Sequence, residues 1–380
     1  MELKLHIGTE KTGTTTFQAF LNENRDELLN SGYLVPRSIG VGNNRALVSC
    51  AMGNSNFDDY HSANQIFNLE QKKSHDKNII ELLKSEVAAC SNVHTVIISS
   101  EHFHSRLVEI DEIETLYGIL KDLFTSIKVY VYLRPQIEVA TSLYSTVLRA
   151  GSKLKFTDFI QSNLRIDNRY YRYDILLNEW GTVFGDENIY PRIFSRSSFV
   201  NGDLIDDFIQ QLGLSHIRQL KRVSNANESL NLMGQEFYRA SNISHESTDR
   251  KPYHLLEGYF TGKGAMPSKE LAESLQIAFE EYNQSLFSKW FDNNESFMVD
   301  FAKYGIGNRL SASEEALISE LFFKPNRLNE KDVDYLRDLA VKLEKQDIND
   351  SLKLMKIAHQ YRPDGKFISK KIEKYNELLK

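Results

Sequence analysis

Gly8-Thr9-Glu10-Lys11-Thr12-Gly13-Thr14-Thr15-Thr16 follows the alternating apolar positions Leu3, Leu5 and Ile7, and opens onto Phe17, Phe20, Leu21 and Leu28 at helical spacing. Alternation predicts a strand and the longer recurrence a helix, so the glycines mark a turn from strand into helix N-terminus. Such a turn cradles anions, because unpaired backbone N–H groups and the helix dipole converge there. The two glycines have the spacing of a Walker A loop, G-x-x-x-x-G-K-[ST]. The position that should be lysine is Thr14, however, and the lysine stands inside the loop as Lys11.

Working outward, residues 14–30 read as a helix that stops near Gly32. Residues 36–76, rich in Asn, Ser, Asp and His, read as irregular. Then come a helix over Ile79–Ala89, a buried-type strand Val93–Ser99, a helix near Ile110–Phe124 and a strand Ile127–Leu133. Residues 137–149 read as helix closed by Gly151. Further on are a helix Tyr173–Phe184, a strand Asn188–Phe194 and a helix Leu204–Leu212 ending at Gly213. Helices continue through 215–310, with a glycine-rich loop at Gly258–Gly264. From about 330, Val333, Leu336, Leu339, Leu343, Leu352, Met355 and Ala358 mark a helical unit broken at Pro363. No internal repeat or low-complexity segment is evident.

Strands alternating with helices predict an α/β fold: a three-layer domain with a central parallel sheet, plus a C-terminal helical extension. The expected boundaries are 1–310 for the main domain and 330–380 for the extension. In parallel sheets the ligand crevice lies beyond the carboxyl ends of the strands. Three segments stand there: the Lys11 loop, Glu101-His102 and Arg134-Pro135.

Composition narrows the partners. The 380 residues are 26% charged and 41% hydrophobic, ordinary for a globular protein. A net charge of −6 argues against a nucleic-acid binder with a broad basic face. Cys50 and Cys90 alone cannot build a disulfide framework or a cysteine zinc site, which points to a reducing compartment. No signal peptide is evident, and no apolar run approaches the roughly 20 residues of a membrane helix. The expectation is a cytoplasmic protein.

Ile7 to Thr15 resembles the 5′-phosphosulfate loop of the sulfotransferases that use 3′-phosphoadenosine-5′-phosphosulfate (PAPS). Those enzymes carry K-x-G-T-T where nucleotide kinases carry G-K-[ST]. A second element, Tyr132-Leu133-Arg134-Pro135 followed by Ser142-Leu143-Tyr144-Ser145, resembles their 3′-phosphate motif, a strand-end Arg-Pro and a helical serine. Arg offers a forked donor set and Ser a hydroxyl to one phosphate. Weaker likeness to bacterial members runs through Tyr173–Leu177, Trp180, Phe184-Gly185, Asn188-Ile189, Phe199–Ile205 and Asn225–Ser229. The R-K-G element of cytosolic members is absent.

The resemblance implies a P-loop-type fold and PAPS as sulfuryl donor, held by Thr9, Lys11, Thr12, Gly13, Thr14, Thr15, Thr16, Arg134 and Ser142. Sulfuryl transfer to an alcohol needs a group to take the hydroxyl proton. Glu101, with His102 second, is the candidate; strand alternation would set Glu101 and Phe103 opposite His102 and His104. In the family, many carbohydrate-acting members use a glutamate and cytosolic ones a histidine. The other reading of Glu101 is an ion pair with Lys11 that orders the loop. The His102/His104 pair lacks further clustered ligands, so no metal site is expected, and the lower charge of a sulfuryl group does not require magnesium. His6 reads as a strand residue beside the core. Trp180, Tyr170 and Tyr171 read as core or partly buried aromatics rather than sugar-stacking platforms.

The expected activity is transfer of a sulfuryl group from PAPS to a hydroxyl-bearing acceptor, a carbohydrate such as a polysaccharide or its precursor. Variable loops at 36–76 and 240–270 are the expected specificity elements, and the C-terminal helices are expected either to mediate oligomerisation or to cover the main domain. Two other functions stay open: an ATP-dependent small-molecule kinase on the same fold, and a non-catalytic nucleotide-binding or interaction module.

Overall fold

A computed structural model describes residues 1–223, 229–244, 260–291, 296–305, 310, 318 and 330–379. Its centre is a parallel sheet built from β1 (Glu2–His6), β2 (Tyr33–Leu34), β3 (Thr95–Ser99), β4 (Ser126–Leu133) and β5 (Ile189–Ile193), in the order β2-β3-β1-β4-β5. β1 lies between β3 and β4, with His6 opposite Ser99 on one side and Tyr130 on the other. The chain thus moves one way from β1 to β2, then crosses β1 between β3 and β4. That reversal opens a crevice at the carboxyl ends of β3, β1 and β4.

Both faces of the sheet are covered, which is why the strands are almost wholly apolar. Leu3, Leu5, Ile7, Val96, Ile98, Val129, Val131 and Leu133 point into one core with Leu176, Leu177 and Trp180. The alternate positions Ile97, Tyr130 and Tyr132 meet Phe17, Phe20, Leu28 and Phe208 on the other face. Two polar residues of β1 are buried there, Lys4 paired at its ammonium and His6 paired through Nδ1 alone, its Nε2 having no partner among the described residues. Lys4 donates from Nζ to the Leu212 carbonyl at 2.6 Å. His6 Nδ1 lies 2.8 Å from Ser99 Oγ, its ring edge-on to both Phe17 and Phe208.

Several elements differ from the sequence reading. The helix expected over 14–30 is two, α1 (Thr14–Glu23) and α2 (Arg25–Asn30). Asn24 breaks it by turning its amide to the Lys221 carbonyl at 3.0 Å and accepting the Lys221 N–H at 2.6 Å. Residues 36–76 are not irregular; they hold α3 (Arg45–Ala51), α4 (Asp59–Ala63) and the start of α5 (Leu69–Ala88). Their polar residues misled because they pair inside. Asp58 takes Arg45 and Arg106, and buried Lys72 donates to Asp76 at 2.6 Å. Asn68 caps α5 by accepting the Gln71 N–H at 2.9 Å, which starts that helix ten residues before Ile79.

α6 (His102–Arg106) replaces the expected extension of β3, so the strand alternation drawn for residues 101–104 does not exist. The helix near 110–124 is α7 (Ile110–Lys121), followed by α8 (Gln136–Arg149), α9 (Phe156–Asn163), α10 (Tyr173–Phe184) and α11 (Leu204–Gln211). Gly151 and Gly213 close α8 and α11 with left-handed backbone, as their positions predicted.

The chain divides into two compact units. One comprises Met1–Leu143, Phe159–Glu228 and Pro267–Tyr304 and carries the sheet; the other comprises Tyr144–Asp158, Ser229–Met266 and Gly305–Lys380. In the first, α13 (Lys269–Ile277) and α14 (Glu280–Trp290) grip the start of α8. Gln276 and Asn283 both bond the buried Gln136 amide, at 2.9 and 2.7 Å. The second holds α12 (Leu232–Ser244) and a C-terminal extension of helices Glu330–Leu343, Ile348–Tyr361 and Lys366–Leu378. The extension packs Leu339, Leu343, Met355, Ala358, Ile368 and Tyr375, and breaks at Pro363 as expected. Residues 225–228 and 245–259, where motif or loop expectations fell, lie outside the described residues. No described helix is long and apolar enough to cross a membrane.

Candidate active site

The loop after β1 is pinned to β4 by its backbone. Thr9 N–H donates to the Tyr132 carbonyl at 3.0 Å, and Tyr132 N–H returns to Gly8 O at 2.8 Å. Gly8, Lys11 and Gly13 have positive φ angles of 104°, 64° and 76°. The Gly13 carbonyl accepts the first helical N–H, from Phe17 at 3.1 Å, and no side chain caps α1. Among the described residues, the amides of Thr14, Thr15 and Thr16 therefore have no acceptor, which is the donor set an anion needs.

The loop threonines divide by role. Thr9 Oγ donates to the Tyr132 carbonyl at 3.0 Å, and Thr12 Oγ to the Thr9 carbonyl at 2.5 Å. Both are buried, so their hydroxyls brace the loop. Thr14 and Thr16 are largely buried at the head of α1, and Thr15 is exposed.

Arg134, at the end of β4, meets this loop directly. Its Nη1 donates to the Lys11 carbonyl at 3.2 Å, and its guanidinium lies 5.5 Å from the Phe194 ring centre. Its Nε donates to Glu138 Oε2 at 2.9 Å, one helical turn on, while Lys303 Nζ donates to Glu138 Oε1 at 2.5 Å. Burial pushes the Glu138 carboxyl up, but Arg134 and Lys303 outweigh it and hold it below the usual carboxylate range. Ser142 stands half-buried farther along α8, and among the described residues no hydrogen bond joins it to Arg134 or the loop.

Glu101 lies at the end of β3, against the loop on its other side. A Cβ placed on Gly8 would sit 3.1 Å from Glu101 Cα, so only glycine lets the two backbones approach so closely. The Glu101 carboxylate accepts from Gln18 Nε2 at 2.8 Å and, at a long 3.5 Å, from Asn43 Nδ2. His102 follows, with Nδ1 buried and unpartnered among the described residues. Burial lowers its pKa against the opposing pull of Glu101, which favours the neutral ring.

The structure therefore brings the Lys11 loop, Glu101-His102 and Arg134 to the carboxyl ends of β1, β3 and β4, while Ser142 has no described bond to any of them. Sequence reading missed Gln18, Asn43, Glu138, Lys303 and Phe194. Glu138 carried a signal, its i,i+4 spacing from Arg134. Lys303 carried none, since nothing local links residue 303 to residue 138. Trp180 and Tyr171 are core residues and Tyr170 is partly buried, as read; Tyr170 donates its hydroxyl to Glu10 Oε2 at 3.0 Å. Among the described residues no His/Cys/Asp/Glu group could hold a metal.

No family model matches the chain. A curated relative, an uncharacterized protein of Archaeoglobus fulgidus, is 28% identical over 222 residues, 54% of this chain and 56% of that protein. The chain thus spans little more than half the length of that relative. A crystal structure of a sulfotransferase from Alicyclobacillus acidocaldarius aligns with a TM-score of 0.40 and 13% identity, covering 76% of this chain and 95% of that one. A TM-score of 0.40 is too low to carry an argument about activity.

Proposed function

We propose that this protein is a PAPS-dependent sulfotransferase that moves a sulfuryl group to a hydroxyl of a carbohydrate acceptor. The observation that carries the reading is the loop itself: three amides at the head of α1 with no acceptor among the described residues, with Lys11 inside the turn and Arg134 bonded to the Lys11 carbonyl. These donors fit a phosphosulfate at one end and a second phosphate at the other. PAPS, when bound, would supply an activated sulfuryl group on a phosphate leaving group.

The chain's own residues divide the remaining work. The amides of Thr14, Thr15 and Thr16 bind the 5′-anion, and Thr9 and Thr12 hold the loop in shape. Lys11 offers charge where the leaving phosphate oxygen gains it, a preorganised electrostatic contribution. Arg134 and Ser142 hold the 3′-phosphate, with Glu138 orienting Arg134 through its Nε. Glu101, steadied by Gln18 and Asn43, takes the proton of the acceptor hydroxyl; His102 is the second candidate for that role. In this reading residues 1–310 form the transferase region and 330–380 a helical appendage open to self-association. The reaction takes place in the cytoplasm.

Thermal shifts with adenosine 3′,5′-bisphosphate, ATP and ATP–magnesium test the reading against a kinase and against a non-catalytic module. A ligand at 100 times its Kd adds about 2.7 kcal/mol to stability. Stabilisation by the bisphosphate above either ATP sample is expected. A preference for ATP–magnesium, or no shift with any nucleotide, overturns the assignment.

A further inference from the structure

Asp58 gathers a cluster of charges to which the transfer reaction assigns no role. Its Oδ2 accepts from Arg45 Nη2 on α3, and from Arg106 Nε on α6 at 3.2 Å. Its Oδ1 accepts the Tyr60 N–H at 3.1 Å and lies 2.9 Å from His61 Nδ1, while His61 Nε2 lies 3.0 Å from Ser49 Oγ. Ser49 and His61 have no exposed surface, so this Asp–His–Ser row is sealed from any substrate and acts as a brace. Arg45 is buried as well, and Arg106 is partly exposed. A buried charge cluster adds little net stability, because desolvation offsets the attraction. What this one delivers is position.

Both arginines belong to segments that frame Glu101 and His102. Asn44, just before Arg45, donates its N–H to the Ser99 carbonyl at 3.1 Å and accepts the Ser99 N–H at 2.9 Å, which docks it on the end of β3. Asn43 accepts from Ser100 Oγ at 3.1 Å and reaches the Glu101 carboxylate at 3.5 Å. Arg106 stands four residues after His102, so the two share one face of α6. Asp58 joins these segments through a single carboxylate oxygen, and exposed Asp59 comes within 3.7 Å of Arg106 from the solvent side.

We propose that Arg106, tied to Arg45 through Asp58, is a positioning residue: the tie fixes the start of α6, and the two guanidinium charges act together on Glu101 and His102. Burial disfavours the charged His102 ring, Arg45 and Arg106 add to that effect, and Glu101 and Glu10 oppose it; the balance lies below the usual histidine range. A protonated His102 would pair with the Glu101 carboxylate and neutralise it. A neutral ring leaves the carboxylate its charge, which taking a hydroxyl proton requires. This bearing on catalysis rests on the transfer reaction proposed above; the electrostatic effect does not.

NMR titration of the His102 ring in the full chain tests the proposal without a substrate. The native ring should titrate below about 6.5, the value of an exposed histidine. Arg106→Gln removes one guanidinium and should raise the His102 pKa, whereas Arg106→Lys keeps the charge and should hold it nearer the native value. A structural role alone would not order the variants by charge. Equal His102 titrations in Arg106→Gln and Arg106→Lys overturn the proposal. If Arg106→Gln does not fold, a native ring titrating at or above about 6.5 overturns it. Binding of adenosine 3′,5′-bisphosphate is read on the same samples. A charge-ordered His102 shift without bisphosphate binding would sink the donor reading and leave the role of Arg106 standing; bisphosphate binding without that shift would sink the role of Arg106 alone.

Discussion

Arg134 Nη1 donates to the backbone carbonyl of Lys11 at 3.2 Å, across 123 residues of sequence. Two strand-end motifs that look independent in the chain are one hydrogen-bonded unit in the fold. The bond stabilises the loop's positive-φ turn at Lys11 and at the same time fixes where the guanidinium points. Glu138 holds Nε from the other side, so Arg134 is positioned before any ligand arrives.

Arg134→Ala should therefore weaken binding of adenosine 3′,5′-bisphosphate by about 10- to 100-fold, since hydrogen bonds to charged groups contribute about 1.5–3 kcal/mol. Arg134→Lys should recover little, because an ammonium cannot serve Glu138, the Lys11 carbonyl and a phosphate together. Isothermal titration calorimetry on the three proteins reads both effects. Equal affinities would remove Arg134 from the donor site.

Lys11→Ala should abolish sulfation while sparing the fold, because Lys11 is partly exposed. Sulfation assays paired with a melting curve separate the two. Turnover near that of the native protein would end the sulfotransferase assignment.

Gly13→Ala should destabilise the protein by about 1–3 kcal/mol and lower its melting temperature. Gly13 has φ 76°, and an added Cβ would fall 2.2 Å from Leu204 Cδ2. Leu204 can rotate away in part, but the left-handed backbone remains strained for alanine. A melting temperature unchanged from the native value would mean that the loop relaxes around the methyl group.

Glu101→Gln should keep the fold and lose about 10²- to 10⁴-fold in turnover, the usual worth of a general base. The substituted amide retains one oxygen to accept from Gln18 or Asn43. Initial-rate measurement over a range of acceptor concentrations checks this. A fall in acceptor affinity alone, with turnover intact, would shift the base role to His102.

Acid should destabilise the fold well before its carboxylates titrate. Burial pushes His6 down to about 3 and His104 to about 4, from about 6.5 unfolded. Below about pH 6.5 the unfolded chain binds protons that the folded chain refuses, so stability falls as pH falls. The limiting slope is about 1.4 kcal/mol per pH unit for each histidine. Urea unfolding between neutral pH and about pH 5 measures it, and His6→Phe should flatten the curve. A flat profile in the native protein would show that both rings protonate in the folded state.

Much of this site was legible in the sequence. The alternation around Leu5, the continuous apolar run around Ile97 and the β-branched and aromatic run around Val131 specified strands, and strand–helix alternation specified a parallel sheet. Gly8, Gly13 and Lys11 specified a turn with the backbone freedom and charge for an anion. Each is a local property, written in neighbouring residues. The α3–α5 region was misread for the opposite reason: Arg45, Asp58, Lys72 and Asp76 look like a solvated loop until the fold pairs them in its interior. Asn24 looked helical because its partner, Lys221, is remote.

What only the tertiary structure decided is which distant groups meet. The sheet order set β1 between β3 and β4, and so brought Gly8 against Glu101 and Lys11 against Arg134. Glu138 gained Lys303, and Glu10 gained Tyr170, through chain crossings with no local signature. The physical reason is that hydrophobic periodicity and turn chemistry act over a few residues, whereas a binding site depends on contacts fixed by packing of the whole sheet.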